Sequence, residues 1–516
     1  MNINKIRRKI QREGLGHTIR YISNRVLNKS YDFGTIVSEE EILIERDAKY
    51  TNKPLVSIVT PLFNTDSNHL REMIESVLAQ TYDEWELCLL DVSDDKHGYV
   101  YDIAKEYAGL NKNIKIKKEQ NKGIAENTNE CVRMSSGDYI GILDHDDILH
   151  PSALYLEVRE INAGADFVYS DEVKFKNDLT HLERPNFKPD FSYEELLLHN
   201  YICHFNIFSR KLFDAVGGYR KEYDGSQDHD MVLRLTAVSK RVEHVPRILY
   251  FWRIHEGSVA GGIQAKPYAT MAGVKAINDR LQKMKTKLSV ESIHDNVPIY
   301  KIRNTKVNGT LTVTVWGTRT EEDKKKIADK ISENIGRNVD FRHIDSSVIG
   351  SELDNIVKEC NSDFMMLLND NINDRELDAS TFNINELLYY SEFSDIAAVD
   401  AKLVDGKRLI SGGVYKRDDK FGFRSTGMPA IYQGYEADFH HARMVMGVSG
   451  ICSMLYINNI KSGANRFFWT PFAKADIRLT EVEKLVSKEY YKSPILMMDD
   501  VNDHFYNLNI SKFDLD

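Results

Sequence analysis

Apolar runs alternate with helical patterns through the first part of the chain. Residues 55–60 form a continuous apolar run that stops at Pro61, and apolar side chains then recur at helical spacing over residues 70–78. A second apolar run, residues 85–90, leads directly into Asp91. Short apolar runs favour buried strands, and strands that alternate with helices are typical of a parallel sheet. The pattern therefore predicts an α/β fold.

A third apolar run, residues 140–143, ends in the carboxylates Asp144, Asp146 and Asp147. Carboxylates two residues apart offer the hard oxygen ligands that Mg²⁺ or Mn²⁺ prefers, and they leave coordination positions for a diphosphate. The alternative is a solvated turn in which Asp147 caps a helix that begins near Pro151.

The ends of the predicted strands indicate one place for a ligand. In parallel α/β sheets, ligands bind beyond the carboxyl ends of the strands. Residues 61–64, Asp91 and residues 144–147 each follow a predicted strand. We therefore expect these three segments to face one crevice.

The second half of the chain resembles the first. Residues 311–316 have the pattern of an opening strand, and residues 362–371 echo residues 137–146. An internal repeat of this length indicates a second domain of the same kind.

Composition excludes several classes of protein. The chain has 516 residues, a net charge of −10 and five scattered cysteines without a C-x-x-C pair. This length predicts more than one domain, and the cysteine spacing argues against a zinc site or a disulfide framework. The sequence shows neither an apolar run long enough to span a membrane nor the apolar centre of a signal peptide, so we expect a cytoplasmic protein.

The first thirty residues are basic although the chain as a whole is acidic. Lysines and arginines interleave there with isoleucines at spacings near three and four. This pattern predicts a basic amphipathic helix, which either packs on the body of the protein or docks peripherally on an anionic membrane surface, the inner face of the cell membrane. The acidic balance and the lack of a motif argue against nucleic-acid binding.

An ordered set of motifs runs through the first half, at residues 56–64, 76–82, 91, 121–124, 137–147, 217–219, 225–230 and 252–258. The set resembles the nucleotide-sugar-binding half of a family 2 glycosyltransferase and covers about residues 54–280. The resemblance implies the GT-A fold, a mixed and mostly parallel sheet flanked by helices. It also implies inverting, metal-dependent transfer of a sugar from a nucleoside-diphosphate donor.

The resemblance assigns roles to particular residues. It implies that Asp91 contacts the base of the donor, that Asp144 contacts the ribose, and that Asp146 holds the metal, Mn²⁺ or Mg²⁺, that bridges the diphosphate. Other donor-binding residues implied by the same motifs are Pro61, Phe63, Asn64, Lys122, Gly123 and His145. For Lys122 a solvated lysine is an equal alternative.

Inverting transfer needs a carboxylate that takes a proton from the acceptor hydroxyl, and Asp228 is the candidate. The alternative is that Asp228 complements the dipole of the helix that follows it. The family's usual glutamate before this aspartate is Gln227 here. His255 is the second predicted metal ligand, with a structural histidine as the alternative. Residues 193–204 either shape the acceptor side or form a core helix.

The second half lacks the residues that would carry chemistry. In an ungapped alignment Asn369 and Asn371 stand opposite Asp144 and Asp146, and neutral amides replace the anionic oxygens that a divalent ion prefers. No counterpart of Asp228 is recognisable. The predicted organisation is a basic arm and connector, a catalytic GT-A domain, and a second, inactive GT-A-like domain, at residues 1–53, 54–289 and 290–516. For the last domain, a functioning second transferase with a divergent site is the weaker alternative.

The predicted function is transfer of a sugar to a glycan, glycolipid or glycoprotein acceptor in surface polysaccharide or glycoconjugate biosynthesis. One alternative is a carbohydrate-binding or scaffold protein without activity. A sugar nucleotidyltransferase is a weaker alternative, because such enzymes usually carry a glycine-rich loop with an arginine after the first strand, whereas residues 60–64 are Thr-Pro-Leu-Phe-Asn.

Overall fold

The computed structural model describes residues 35–254, 267–294, 297–304, 307–345, 349–378, 380–417, 420–432 and 439–478. They divide into two compact units. The first runs up to Arg280 and includes Ser292–Tyr300, and the second contains Leu281–Glu291 and the chain from Lys301 onward. The predicted basic arm, residues 1–30, and His255 lie outside the described residues, so both assignments stay predictions. No helix within the described ranges is long and apolar enough to cross a membrane.

The first unit is an α/β domain. Its strands are β1 (Val56–Leu62), β2 (Trp85–Asp91), β3 (Ile114–Lys118), β4 (Tyr139–Ile142), β5 (Ile148–Leu149), β6 (Phe167–Lys176), β7 (Asp178–Asn186), β8 (Asn206–Ser209) and β9 (Val242–Arg253). Its helices are α1 (Glu39–Arg46), α2 (Ser67–Leu78), α3 (Tyr99–Leu110), α4 (Ile124–Met134), α5 (Ala153–Asn162), α6 (Tyr193–Leu196), α7 (Arg210–Val216) and α8 (Gln227–Thr236).

The sheet of the first unit is mixed. The strand order is β3-β2-β1-β4-β8-β6-β9-β5, with β7 beside β6. Strands β3, β2, β1 and β4 run parallel, as the alternating pattern predicts, but β8 lies antiparallel between β4 and β6. The mostly apolar composition of β1 and β2 fits the burial of nearly all their residues, as expected for strands covered on both faces.

Helices cover this sheet through apolar faces at helical spacing. The predicted helix over residues 70–78 is confirmed as α2, which buries Leu70, Ile74 and Val77 in the core beside β1 and β2. Asp66 caps its first turn by accepting hydrogen bonds from the N–H groups of Asn68 and His69.

The second unit follows a connecting helix and hairpin. These are α9 (Pro267–Lys283), β10 (Leu288–His294) and β11 (Val297–Asn304). Strands of the second unit are β12 (Leu311–Gly317), β13 (Asp340–Asp345), β14 (Phe364–Asn369), β15 (Ile396–Asp405), β16 (Arg408–Ser411), β17 (Val414–Arg417), β18 (Lys420–Phe423), β19 (Arg443–Val445), β20 (Cys452–Tyr456) and β21 (Arg466–Asp476). Its helices are α10 (Glu321–Ile335), α11 (Ile349–Glu359) and α12 (Ile457–Lys461).

The main sheet of the second unit has the order β13-β12-β14-β20-β15-β21-β19. From β13 to β21 this order and the strand directions match those from β2 to β9 in the first unit. In both units the register shifts within the long parallel pair, between Ser170 and Asp171 and between Ala401 and Lys402. The longer strand carries a proline at each shift, Pro246 or Pro471.

Candidate functional site

The carboxyl ends of β2, β1 and β4 lie side by side. In the register of the sheet, Leu62 pairs with Asp91, and Val59 pairs with Ile142. Pro61 lies in β1, and Phe63, which follows it, is 48% exposed. The predicted donor-binding residues of the first two strands and the acidic turn after β4 therefore share one edge of the sheet.

Asn64 and Asp91 are tied to the loop after β2. Asn64 has a φ of +52°, and its N–H donates to Ser93 Oγ at 2.9 Å. Asp91 is fully buried, and its Oδ1 accepts from the Ser93 N–H at 3.0 Å. The Nζ of Lys118 lies 3.6 Å from Asp91 Oδ2. A lysine thus provides the charge partner of the carboxylate that the family resemblance assigns to the donor base.

The loop before α4 is held by a carboxylate from a distant segment. Gly123 has a φ of +98°, and a Cβ at this position would lie 2.9 Å from Asp224 Oδ2. The Oδ1 of Asp224 accepts from the Ala125 N–H at 3.2 Å. The Ala125 N–H at the start of α4 is therefore already bonded to Asp224. A phosphate of the sugar donor would have to displace Asp224 to bind there. Lys122 is exposed.

Contacts with β9 fix the acidic turn. Asp147 is buried and accepts hydrogen bonds from the Tyr250 hydroxyl and from the Arg253 N–H, the latter at 2.7 Å. Nε of Arg253 donates to the carbonyl oxygen of Asp146 at 2.6 Å. The alternative that Asp147 caps a helix near Pro151 is wrong, since its carboxylate is used in these contacts and α5 begins at Ala153.

The remaining carboxylates of the turn reach the solvent. Asp144 is exposed and Asp146 is partly exposed. Desolvation, together with the neighbouring charge of Asp146, raises the pKa of Asp144, whereas His204 opposes this rise. Nδ1 of His145 lies 3.7 Å from Asp146 Oδ1. Two carboxylates of one turn that both reach the solvent are a suitable environment for a cation.

The oxygen chemistry of Asp144 and Asp146 fits Mg²⁺ or Mn²⁺ when further ligands come from a diphosphate. Within the described ranges, three or more His, Cys, Asp or Glu side chains nowhere converge as a complete metal site. Mg²⁺ is usually bound by one or two carboxylates together with phosphate oxygens of the substrate. A metal at this turn would therefore need oxygens from the diphosphate of the sugar donor.

His204 is a site residue that the sequence interpretation missed. It precedes β8, and its backbone N–H and Nδ1 both contact Glu172 Oε2, at 2.5 and 3.2 Å. The ring stacks on Tyr250 with a centroid distance of 5.4 Å and lies 4.2 Å from the ring of Trp252. Although burial opposes its charge, the carboxylate of Glu172 raises the pKa of His204 to about 9.

Residues 193–204, for which an acceptor surface or a core helix was predicted, therefore divide between two environments. Glu194 and Leu196 in the short helix α6 are buried, whereas His204 borders the acidic turn. The residue that could have drawn attention to this histidine is its carboxylate partner in β6, Glu172. The sequence separates the two residues, and only the insertion of β8 between β4 and β6 brings them together.

Asp228 lies in the first turn of α8 with an exposed side chain. Desolvation and the charge of Asp144 raise the pKa of Asp228 to about 6, while His204 and a hydrogen bond from Gln227 oppose the rise. The effect of the Asp144 charge on Asp228 indicates that the turn after β4 and the start of α8 face the same space. Two clusters far apart in sequence thus meet at one site.

His229 and Asp230, which follow Asp228 in the same motif, are structural. Asp230 is buried and paired with Arg220 and Arg234, and Arg234 also donates to the carbonyl oxygen of Gly218 at 2.8 Å. His229 is buried and its Nε2 lies 2.6 Å from the carbonyl oxygen of Leu196. The motifs at residues 217–219 and 225–230 are therefore joined by an ion-pair network.

The corresponding turn of the second unit is closed by its own hydrogen bonds. Asn369 is buried and its Oδ1 accepts from the Asn371 N–H at 3.0 Å. Asp370 is fully buried, and its Oδ2 accepts from the Arg319 N–H at 2.7 Å. Its carboxylate packs on Gly317, where a Cβ would lie 2.0 Å away. The polar groups of this turn thus bond to the unit's own backbone.

Carboxylates at adjacent strand ends of a mixed α/β sheet lie where α/β domains bind their ligands. The chain belongs to glycosyl transferase family 2, whose family model matches residues 57–217. An uncharacterised glycosyltransferase of Methanocaldococcus jannaschii, MJ1057, is 30% identical over 212 residues, which cover 39% of this chain and 72% of that protein. The predicted GT-A fold, which is the fold of this family, is thereby confirmed.

Other relatives are longer. The protein y4gI of Sinorhizobium fredii is 38% identical over 46% of this chain and 27% of its own length. The O-antigen biosynthesis protein RfbC of Myxococcus xanthus is 32% identical over 52% of this chain and 21% of its own length. The chain thus spans about a quarter of these two relatives.

Solved structures also match the chain. The crystal structure of S. aureus TarS residues 1–349 with UDP-GlcNAc is 16% identical, with a TM-score of 0.37, over 44% of this chain and 66% of that one. This likeness is too low to carry an argument about donor or acceptor.

Proposed function

We propose that the first unit is an inverting glycosyltransferase that moves a sugar from a nucleoside-diphosphate donor to a glycan or lipid-linked acceptor. The observation that carries the proposal is the approach of Asp228 to Asp144. A family member needs a donor site and a base at one place, and the charge of Asp144 acts on Asp228 although the two carboxylates come from distant segments of the chain.

Asp228 is the base in this proposal. A pKa raised to about 6 makes the carboxylate a stronger base and still leaves it mostly ionised at neutral pH, which suits it to accept the proton of an attacking hydroxyl. The exposed carboxylate is open to an acceptor, whereas the buried and doubly paired Asp230 is not. The geometry of the helix start therefore favours Asp228 over its neighbour.

The donor lies along the carboxyl edge of the sheet in this proposal. Asp91 contacts the base, Asp144 the ribose, and Pro61, Phe63, Asn64 and His145 line the same edge. Lys122 and Gly123 border it at the start of α4. Asp146 holds Mn²⁺ or Mg²⁺ together with donor oxygens, and His255 is its second predicted ligand. The bound metal would neutralise charge on the leaving diphosphate.

The product is a surface polysaccharide or glycoconjugate in this proposal. Support comes from relatives such as the O-antigen biosynthesis protein RfbC and a hyaluronan synthase of Pasteurella multocida, which is 29% identical over 42% of this chain. A basic arm over residues 1–30 would hold the enzyme at the anionic membrane surface where lipid-linked acceptors are found.

The second unit is a GT-A-like copy without a donor site in this proposal. Its support is the matching strand order and the equivalent register shift beside a proline. Asn369 and Asp370 take the place of the open acidic turn, and their buried, bonded side chains leave no exposed pair of carboxylates. Such a unit would bind acceptor or stabilise the protein.

A panel of nucleoside-diphosphate sugars tests the proposed activity. Purified protein is incubated with each donor and with candidate glycan acceptors, with and without Mn²⁺, and release of nucleoside diphosphate is scored. The proposal expects acceptor-dependent release with at least one donor. Lack of release with every donor, from protein that binds a nucleoside diphosphate, would favour the binding or scaffold alternative.

A further inference from the structure

The side chain of Gln227 connects the backbone before α8 to the candidate base. Gln227 is buried, with 8% exposure. Its Oε1 accepts from the Gly225 N–H at 2.8 Å, and its Nε2 donates to Asp228 Oδ2 at 3.0 Å. An amide can accept and donate at the same time, so one side chain makes both bonds.

These bonds distinguish the two oxygens of Asp228. Oδ2 is occupied by Gln227, and the described residues offer no hydrogen bond to Oδ1. Because a carboxylate on a short side chain rotates freely unless one oxygen is held, the bond to Gln227 limits its orientation. Gly225 packs closely against Tyr268, since a Cβ at this position would lie 2.5 Å from that ring.

We propose that Gln227 is a positioning residue that holds Oδ2 of Asp228 and thereby presents Oδ1 to the acceptor hydroxyl. The inference rests on the proposed function of Asp228. In the transfer step, the acceptor oxygen forms its bond to the anomeric carbon as the bond to the diphosphate breaks. The hydroxyl proton passes to Oδ1, and the diphosphate leaves with the electron pair.

At this position an amide can make both hydrogen bonds, whereas an ionised carboxylate can make only one of them. The family's usual glutamate at this position could still accept from the Gly225 N–H, but when ionised it has no proton to donate to Asp228. It would also place a second negative charge beside the base. The titratable groups that face Asp228 are Asp144 and His204, and Tyr219 and Cys203 also lie within its field.

The variant Gln227→Glu can keep the bond from the Gly225 N–H but loses the bond to Asp228. The variant Gln227→Met loses both bonds and has a side chain of similar volume. The experiment measures kcat and KM for donor and acceptor from about pH 5 to about pH 9. For Gln227→Glu we expect the acidic limb of kcat/KM to move up by about one pH unit, because a like charge disfavours ionisation of the base. The rate should recover at high pH, with the donor KM unchanged.

For Gln227→Met we expect a kcat about tenfold lower even where the base is fully ionised, because the carboxylate is no longer oriented. If both variants lose the same factor at all pH values together with thermal stability, Gln227 is only structural and the inference is overturned. Wild-type behaviour of both variants would overturn it as well.

Failure of the underlying proposal has a different signature. If wild-type protein transfers sugar and Asp228→Asn transfers it equally well, Asp228 is not the base. If Asp228→Asn is inactive but Gln227→Glu and Gln227→Met match the wild type, the base assignment stands and only the positioning role of Gln227 falls.

Discussion

Arg253 joins the acidic turn to β9, because its Nε donates to the carbonyl oxygen of Asp146 at 2.6 Å. The same guanidinium reaches Glu72 Oε2 at 2.6 Å, and the backbone N–H of Arg253 donates to Asp147. Arg253 does not contact the sugar donor in our proposal, but its bonds help to fix the position of Asp146, the candidate metal ligand.

Arg253→Met should lower the free energy of unfolding by about 2 kcal/mol, because buried hydrogen-bond acceptors lose their donor. It should also reduce turnover at least about tenfold, since the acidic turn is no longer held. Urea unfolding and initial rates measure the two effects. Arg71→Met, which breaks an exposed pair with Glu106, is the control and should change neither quantity. Full activity of Arg253→Met would contradict this account of the turn.

Activity should depend on pH through Asp228. The base acts in its ionised form, and its pKa is raised to about 6, so the rate should be full above this value and fall as pH decreases through it. Asp144→Asn removes a charge that raises this pKa, and the acidic limb should therefore move to lower pH. Rate profiles at saturating donor test both expectations. A limb that moves up in Asp144→Asn would show that the two carboxylates do not interact as described.

Glu172 holds two basic side chains, Lys188 and His204, next to the candidate site. Its Oε2 lies 3.2 Å from Nζ of the fully buried Lys188, and it also holds His204. Glu172→Gln leaves a buried ammonium opposite a neutral amide, and we expect a loss of about 3 kcal/mol in the free energy of unfolding. Chemical denaturation measures this loss. Asp83→Asn, in the exposed pair with Lys53, should leave the denaturation midpoint unchanged.

The two units provide a matched pair of acidic variants. Asp146→Asn should abolish metal-dependent turnover, because the candidate ligand becomes a neutral amide. Asp370→Asn keeps an oxygen that can accept from the Arg319 N–H, so turnover should remain within about twofold of wild type. Initial rates with titrated Mn²⁺ make the comparison. A loss in Asp370→Asn as severe as that in Asp146→Asn, with normal folding, would mean that the second unit takes part in the chemistry.

The sequence is sufficient to predict the GT-A fold and the shared edge of β1, β2 and β4. The shared edge depends on local apolar runs followed by polar residues, whereas the GT-A fold depends on the ordered motifs that resemble the family, and both kinds of pattern are visible along the chain. The structural role of Asp147 could not be predicted in this way, because its partners Tyr250 and Arg253 lie about a hundred residues away.

The sequence also did not predict the site residues that only the strand order brings together. His204 and Glu172 meet because β8 inserts antiparallel between β4 and β6, and no periodicity encodes that insertion. Gln227 was noticed only as a departure from the family pattern. Its two hydrogen bonds depend on the backbone path through Gly225, which follows from tertiary packing against Tyr268.

The central claim is that Asp228 takes the proton of the acceptor, and one comparison tests it most directly. Acceptor-dependent transfer by Asp228→Asn is measured beside wild type, with donor binding followed in parallel by calorimetry. We expect transfer to fall by at least about a hundredfold while the donor dissociation constant stays within about twofold. Transfer at the wild-type rate by Asp228→Asn would contradict the claim.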